Sequence, residues 1–386
     1  GPLSYVGGNI NTRASGPHAL RHGAIHNYLR HVRIITGAGE TVDTRDRTTL
    51  PPRLRDGLFE LARTLRHDTE MLDRLELRRS FKWASGYELL ALADHGDDPV
   101  AALPRLVAGS VGTLGILTEA VLASEPLPSE RGALLVRFAS AQAACRAAGW
   151  MRTRAAAIEI VSRSALDLLR RHTDVLAGDD ESAALLIVEY SGPGALESVE
   201  RAARALDARD LVGEPVRAST DDEIDAIWAA RKALLPVVRR YASTGFVPYS
   251  VVNDVGVAPE RLGELLAGAE EIFDRYGLDA PIYGHAGSGN LHLRPLFPTG
   301  NRELVARVAN DVYGLVCRLG GTVTAEHGMG RLRAPFLRAE WGDRIVDLMT
   351  EVKRLFDPDG LLNPGVMVPA RDGEAGTPPW GGDLRL

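Results

Sequence analysis

Two short segments of this sequence place histidine and carboxylate side chains where they could bind a metal ion. The segment YGHAGSGNLHL (283–293) carries His285 and His292 on either side of a Gly-Ser-Gly-Asn turn. Its flanks are typical of short strands, so we expect a hairpin that brings both imidazoles to the same end. A second segment, TVTAEHGMG, supplies Glu326 and His327 at the end of another strand-like run. Two imidazoles and a carboxylate form a metal-ligand set, and His327 would lie beside the metal as a base.

The same histidines have a simpler interpretation as hydrogen-bonded residues of the surface or the core. The metal hypothesis requires the two segments to meet in space. Two observations favour it. The turn is glycine-rich, and the three histidines beyond residue 172, out of ten in the chain, all lie in these two segments. We therefore predict a metal site formed by His285, His292 and Glu326.

The composition is that of a globular protein and excludes several classes of function. The chain has 386 residues, of which 45% are hydrophobic and 25% charged, with a formal net charge of −6. It is long enough for two domains, and it has no basic field for nucleic acid or anionic lipid. No apolar run approaches the roughly 18 residues that a membrane-spanning helix needs, and no secretory signal is visible. We expect a cytoplasmic protein that can associate peripherally with a membrane.

The two cysteines, Cys145 and Cys317, lie far apart in helix-like apolar patterns. A disulfide framework is not indicated, and a reducing compartment fits this usage. Because the sequence has no CxxC, the chain itself carries no iron–sulfur or all-cysteine zinc motif. The chain opens GPLSYVGGNI without a methionine, so we expect a fragment or a chain whose true beginning is missing.

Two glycine-rich segments could let a ligand approach the backbone closely. The first, within 5–29, follows Gly7-Gly8 with small and polar residues that offer N–H groups. The second, within 106–124, repeats glycine at every third position before an apolar strand, but it lacks the lysine of a P-loop. By themselves, both segments are also compatible with ordinary surface turns.

The pattern of the remaining residues predicts two domains of different organisation. A hairpin (30–44) and a helical stretch (54–76) precede a boundary marked by Pro126 and Pro128. From about residue 131, strands alternate with amphipathic helices, which indicates an α+β domain with helices on one face of a sheet.

Three further elements are predicted in the second half of the chain. We expect one long helix over 224–242 and a strand over 247–257, shortly before the histidine hairpin. A last helix begins at residue 344 and stops at Asp-Pro and Asp-Gly dipeptides. The Pro/Gly-rich end, 371–386, is typical of a flexible tail or linker.

Five motifs occur in an order that is more specific than any one of them. They are GGNINTRASGPHALRHG, AGSVGTLGILTEA, GHAGSGNLHL, AEHGMG and VKRLFDPDGLLNPG. In this order they resemble the FAD-linked oxidase family, which has the vanillyl-alcohol-oxidase type of FAD fold. Its members include glycolate oxidase FAD subunits, D-lactate dehydrogenases and D-2-hydroxyglutarate dehydrogenases. The resemblance extends from Val6 to about Val368.

The resemblance implies a fold and a domain division. The fold is α+β, with the C-terminal half of a vanillyl-alcohol-oxidase-type FAD-binding domain and an α+β cap domain whose antiparallel sheet is covered by helices. The division is a partial FAD-binding domain over 1–130, a cap or substrate domain over 131–355, and a segment over 356–370 that returns to the FAD domain.

The resemblance also implies residue roles. In metal-dependent members, His285, His292 and Glu326 match the metal ligands and His327 matches the general base. Arg231 matches the arginine that holds the substrate carboxylate, and the catalytic set expected here is His327, Arg231 and Asn290. The residues expected along FAD are Gly7, Gly8, Asn9, Asn11, Thr12, Ser15, Gly16, Gly109, Gly112, Gly115, Ile116 and Asn363.

The implied reaction is the oxidation of a D-2-hydroxy acid, of the lactate, glycolate or 2-hydroxyglutarate class, to the 2-oxo acid. FAD would accept the hydride, and a divalent metal, with zinc as the expected ion, would assist the loss of the hydroxyl proton. The expected electron acceptor is a quinone or an electron-transfer protein, with an iron–sulfur domain or subunit as one form of it. A homodimer is a further expectation.

The sequence departs from the family pattern in three places. Ser288 stands where an acid is usual, and so does Val111. The first half of the FAD domain should precede Val6, so we expect weak FAD binding unless another segment or chain completes the fold. Two alternatives therefore stay open, namely a non-catalytic remnant or subunit of this fold and a flavin-independent zinc hydrolase.

Overall fold

The computed structural model describes residues 4–170, 181–241 and 245–368. The chain divides into two compact units. The first contains Gly1–Ser15, Ala24–Glu125 and Thr322–Arg385, and the second contains Gly16–Gly23 and Pro126–Gly321. The predicted tail, 371–386, lies outside the described residues. Within the described residues, no helix is long and apolar enough to cross a membrane.

Short strands and helices of varied length follow one another along the chain. The strands are β1 (Leu29–Ile35), β2 (Thr41–Asp43), β3 (Ile116–Leu122), β4 (Arg131–Phe138), β5 (Ala157–Ser162), β6 (Ala184–Ser191), β7 (Val216–Ala218), β8 (Phe246–Val247), β9 (Val255–Gly256), β10 (Ile282–His285), β11 (Asn290–Leu293) and β12 (Phe297–Pro298). The helices are α1 (Val6–Asn11), α2 (Ala19–His22), α3 (Pro52–Arg66), α4 (Thr69–Glu76), α5 (Leu90–Asp94), α6 (Pro99–Val107), α7 (Ala141–Met151), α8 (Arg163–Arg170), α9 (Ala195–Ala205), α10 (Asp221–Lys232), α11 (Leu234–Tyr241), α12 (Leu262–Arg275), α13 (Arg302–Arg318), α14 (Gly330–Arg333), α15 (Leu337–Trp341) and α16 (Asp343–Phe356).

The first unit contains a three-stranded antiparallel sheet in the order β2-β1-β3. The predicted hairpin over 30–44 is confirmed, because β1 and β2 pair around the Gly-Ala-Gly turn with Ile35 opposite Thr41. The helical stretch over 54–76 is two helices, α3 and α4. They separate at Asp68, whose side chain accepts a hydrogen bond from the backbone N–H of Met71 and so begins a new helix.

Helix α16 belongs to the first unit because it packs directly on α3. An ideal Cβ on Gly57 of α3 would lie 2.5 Å from the Leu355 side chain of α16, so a larger residue at position 57 would displace this leucine. The structural boundary therefore falls after Gly321, and residues 322–355, which the sequence analysis assigned to the cap domain, are part of the first unit.

The second unit is built on a seven-stranded sheet in the order β7-β4-β6-β5-β10-β11-β9, and every pair in it is antiparallel. Side chains of α8 and α10 share a core with one face of this sheet. On the other face, an ideal Cβ on Gly132 would lie 3.0 Å from side-chain atoms of Leu196 and Val199 of α9. Helices thus cover both faces, not the single face predicted, because the central strands are apolar at consecutive positions and both of their faces need cover.

The segment Gly16–Gly23 lies far from the rest of the second unit in sequence but packs within it. His18 Nε2 lies 3.1 Å from a carboxylate oxygen of the buried Glu189 on β6, and the His18 ring packs 5.2 Å from that of Trp228. Burial acts to raise the pKa of Glu189, but the hydrogen bonds from His18 and Trp228 outweigh it and hold the pKa below its usual value.

Two predicted elements of the second unit are interrupted. The helix expected over 224–242 is α10 and α11, which separate at Ala233. Pro236 has no N–H to donate to the carbonyl of Lys232, so a continuous helix would lose that bond and meet a steric clash. The strand expected over 247–257 exists only as β8 and β9, since Pro248 cannot donate to a sheet ladder.

One buried ammonium ties three segments of the first unit together. Lys353 on α16 forms an ion pair with Asp357 and donates to the carbonyls of Thr113 (2.7 Å) and Leu362 (2.8 Å). Asp357 in turn accepts from the backbone N–H groups of Leu361 and Leu362. The Lys353–Asp357 ion pair therefore connects the end of α16, the returning LLNPG segment and the second glycine-rich segment.

We expect Lys353→Met to lower the free energy of unfolding by about 3–5 kcal/mol, because it leaves the buried Asp357 carboxylate without its cation. Guanidinium unfolding followed by circular dichroism measures this change. The matched control is Lys232→Met at the exposed end of α10, which should change stability by less than about 0.5 kcal/mol. Equal effects of the two substitutions would contradict the role assigned to Lys353.

Candidate active site

The histidine hairpin forms as predicted and brings its two imidazoles together. In the β10–β11 pair, Tyr283 lies opposite His292 and His285 lies opposite Asn290. The turn needs Gly289, whose φ is +72° and whose Cβ, if present, would lie 1.9 Å from the carbonyl oxygen of Val257. The two imidazole rings are 5.1 Å apart at their centroids and meet edge to face.

Each imidazole is oriented through its Nδ1 atom. His285 Nδ1 pairs with Glu159 Oε1, and His292 Nδ1 lies 3.1 Å from the carbonyl oxygen of Asn253. The two Nε2 atoms face each other at 3.4 Å. Two nitrogens bound to one tetrahedral zinc ion at about 2.0–2.1 Å would be separated by about 3.3 Å. The pair therefore has the spacing and the Nδ1 partners of two metal ligands.

Glu159 is a site residue that the sequence analysis missed. It lies on β5, is fully buried, and uses one carboxylate oxygen for His285 and the other for Arg231. Burial acts to raise its pKa, but the attraction of His285 and Arg231 outweighs burial and lowers the pKa. Its signal in the sequence was a lone acid inside the apolar run AAAIEIV, where a charge needs a partner.

Arg231 lies on α10 and is already bound to a carboxylate. Its Nη2 and Nε atoms lie 2.6 and 2.9 Å from Glu159 Oε2, and its guanidinium stacks on the Tyr283 ring with 4.5 Å to the centroid. The predicted role of Arg231 was to hold a substrate carboxylate. In this structure Arg231 binds the carboxylate of Glu159 and not that of a substrate. Its role in substrate binding therefore stays a prediction.

Asn290 is held by the sheet. Its Nδ2 donates to Asp254 Oδ1 at 3.1 Å and to the carbonyl of Val255 at 2.9 Å, which fastens β11 to the segment around β9. Its buried Oδ1 has no hydrogen-bond partner among the described residues, and neither does the Ser288 hydroxyl. Ser288 thus does not take over the support that an acid at this position would give, and the catalytic assignment of Asn290 stays a prediction.

Glu326 and His327 lie in the first unit, in a segment that is not a strand. Val323 and residues 325–327 form bends, and no residue of 323–329 is assigned to a strand. The strand-like run was therefore the wrong prediction, because the Thr324 hydroxyl and the Arg333 guanidinium both donate to the carbonyl of Gly328 and hold the chain in a turn.

The Glu326 carboxylate has charged and polar neighbours within the first unit. Lys82 Nζ lies 2.8 Å and the Ser15 hydroxyl 3.5 Å from Glu326 Oε2, and His327 Nε2 lies 3.5 Å from Oε1. The histidine pair belongs to the second unit. The convergence of His285, His292, Glu326 and His327 on one ion therefore stays a prediction.

Segments predicted to bind FAD come together in the first unit. Asn11 Oδ1 accepts hydrogen bonds from the Gly112 N–H (3.1 Å) and the Ser110 hydroxyl (3.4 Å). Asn363 Nδ2 donates to the carbonyl of Val111 at 2.6 Å. The first glycine-rich segment, the second one and the LLNPG segment are thus joined by asparagine side chains.

The backbone at this junction is strained. Val111 has φ +53° and Asn363 has φ +43°, and the left-handed region is rare for a β-branched residue. Gly7 and Gly8 lie within α1, not in a loop, and an ideal Cβ on either would meet nothing within 4 Å. Strain combined with an open, side-chain-free surface fits a segment that contacts a cofactor.

Comparison with known proteins gives the family of the chain. The sequence profile of the family described as FAD linked oxidases, C-terminal domain, matches residues 127–367. The chain is 26% identical to the glycolate oxidase subunit GlcD of Bacillus subtilis over 375 residues, which cover 95% of the chain and 68% of that protein. It is 29% identical to D-2-hydroxyglutarate dehydrogenase of Escherichia coli over 94% of the chain and 38% of that protein.

The solved structures agree with the predicted fold class. Alkyldihydroxyacetonephosphate synthase superimposes with a TM-score of 0.52 at 16% identity, over 94% of this chain and 58% of its own. The α+β fold of the vanillyl-alcohol-oxidase type is thereby confirmed, and FAD is the cofactor that the family supports. The chain belongs to the FAD-linked oxidases and carries the C-terminal domain of that family.

Proposed function

We propose that this chain acts in an FAD-dependent dehydrogenase that oxidises a D-2-hydroxy acid, of the lactate, glycolate or 2-hydroxyglutarate class, to the 2-oxo acid. The observation that carries the proposal is the pair of Nε2 atoms of His285 and His292, which face each other at 3.4 Å. Glu159 and the Asn253 carbonyl hold the Nδ1 atoms, so both rings are oriented for one cation.

The proposed metal ligands are His285, His292 and Glu326, with zinc as the expected ion. A ligand set of two imidazoles and one carboxylate is typical of catalytic zinc sites, whereas closed structural sites use four protein ligands. Both histidines are almost fully buried, so an ion bound there is shielded from bulk water.

The chemistry divides between the bound groups and the protein. FAD would supply the hydride acceptor and a divalent ion would supply Lewis-acid polarisation of the substrate hydroxyl. We assign the role of base to His327, so that a nitrogen of its imidazole ring accepts the hydroxyl proton of the substrate. Its side chain is 40% exposed, so the proton can pass on to solvent.

The cofactor role falls to the first unit, which also carries Glu326 and His327, while the second unit carries the histidine pair. Asn11, Gly112 and Asn363 lie in the three segments that meet at the strained junction, and they would hold FAD. We also propose a quinone or an electron-transfer protein as the acceptor, as the family resemblance implies.

The full chain incubated with FAD and zinc should reduce an acceptor dye with at least one of D-lactate, glycolate and D-2-hydroxyglutarate. Removing the metal with EDTA should abolish the activity and added zinc should restore it. His292→Ala should lower the rate by about 100-fold or more, because it removes a metal ligand. His67→Ala, at the exposed end of α3, is the matched control.

The proposal is overturned if protein that has bound both FAD and zinc oxidises none of the three acids. Zinc-bound protein that takes up no flavin and hydrolyses esters would instead support the hydrolase alternative. The absorption spectrum and the zinc content of the same sample distinguish these outcomes.

Glu159→Gln should weaken zinc binding by about 10–100-fold, because a neutral amide orients His285 less strongly and makes it a poorer ligand. Competition with a fluorescent chelator measures the affinity on flavin-free protein. Glu260→Gln removes an exposed carboxylate that pairs with Arg152, and it should leave the affinity unchanged. Unchanged zinc affinity in a natively folded Glu159→Gln protein would refute the orienting role of this carboxylate.

A further inference from the structure

A second arginine, which directly follows the histidine hairpin, is buried without a partner among the described residues. Arg294 follows β11 and is 6% exposed. Among the residues that the structure describes, its side chain makes no hydrogen bond, ion pair or ring contact, and its buried Nε atom is unsatisfied. A buried guanidinium without a counter-charge is costly, so proteins rarely keep one that nothing binds.

Arg294 points to the same face of the sheet as the histidine pair. The backbone N–H of Arg294 donates to the carbonyl of Pro281, which extends the β10–β11 ladder by one position. Side chains two residues apart on a strand share a face. Arg294 therefore lies on the face that carries His292 and, two residues earlier, Asn290.

Arg231 has a direct acidic partner among the described residues, whereas Arg294 does not. Glu159 neutralises Arg231 through two contacts to one oxygen, at 2.6 and 2.9 Å. No described acid forms an ion pair with Arg294, and the buried Asp254 carboxylate accepts from Asn290 instead. A ligand of this face should bring a negative charge, and a carboxylate fits because its two oxygens match the fork of a guanidinium.

We propose that Arg294 binds a carboxylate of the 2-hydroxy-acid substrate and so determines its specificity, while Arg231 positions Glu159 and, through it, His285. This inference rests on the proposed function for the identity of the ligand. It differs from the role implied by family resemblance, in which Arg231 holds the substrate carboxylate.

The test is the binding of reaction products, which needs no turnover. Zinc-loaded full chain is titrated with pyruvate, glyoxylate and 2-oxoglutarate, and binding is followed by the rise in melting temperature. Arg294→Met should weaken the binding of at least one of them on the order of 100-fold, the usual size of a lost buried charge pair. Arg294→Lys should recover part of it, and Arg209→Met, whose side chain is 90% exposed in the same unit, should bind as wild type.

The pattern across the three acids shows which carboxylate is bound. Equal weakening for all three places Arg294 at the carboxylate next to the oxidised carbon. Weakening for 2-oxoglutarate alone places it at the distal carboxylate and makes Arg294 a selector of dicarboxylates. In steady-state assays, Arg294→Met should raise KM while kcat changes by less than about 10-fold, since uniform binding is lost.

Stability separates a binding role from a structural one. Without ligand, Arg294→Met should melt at or above the wild-type temperature, because it removes an uncompensated buried charge. Wild-type affinity for all three acids in Arg294→Met would overturn the inference, and so would a lower melting temperature combined with an unchanged KM. If wild-type protein binds none of the acids, the proposed function fails first.

Discussion

The second unit depends on one buried carboxylate. Glu159 lies in the middle of an apolar strand and can remain ionised there only because His285 and Arg231 approach it from two directions. This requirement aligns three elements, since β5, β10 and α10 must each deliver one partner to the same point. The ionised carboxylate also fixes the Nδ1 side of His285, so the opposite Nε2 is presented to a ligand.

The first unit uses a buried lysine in a comparable way. Lys353 contacts the end of α16, the LLNPG segment and the second glycine-rich segment, and it forms an ion pair with Asp357. Burial acts to lower the pKa of Lys353 while the bond to Asp357 opposes this, and the pKa stays below its ordinary value. The strained conformations of Val111 and Asn363 persist near this centre because hydrogen bonds between distant segments, such as that from Asn363 to the Val111 carbonyl, and not local preference, determine the backbone there.

Much of the architecture could be predicted from periodicity. The hairpin over 30–44, the strands β4, β5 and β6 and the helices between them follow patterns that burial imposes directly on the chain. The errors lie where one residue interrupts a pattern. Pro236 divides the helix expected over 224–242, and hydroxyl and guanidinium bonds to the Gly328 carbonyl replace the strand expected before His327.

The sequence by itself determined the identity of the chemically active side chains and, through the order of five motifs, the family. A hairpin brings two histidines that flank its turn close together, so the sequence also predicted the pairing of His285 and His292. The partners of these residues were decided only by tertiary structure. Glu159 is 126 residues from His285 and 72 from Arg231, and no local pattern encodes a contact of that range. For the same reason, the sequence could not show that Arg231 has a carboxylate partner and that Arg294 has none among the described residues. Such pairing depends on which strands become neighbours in the fold.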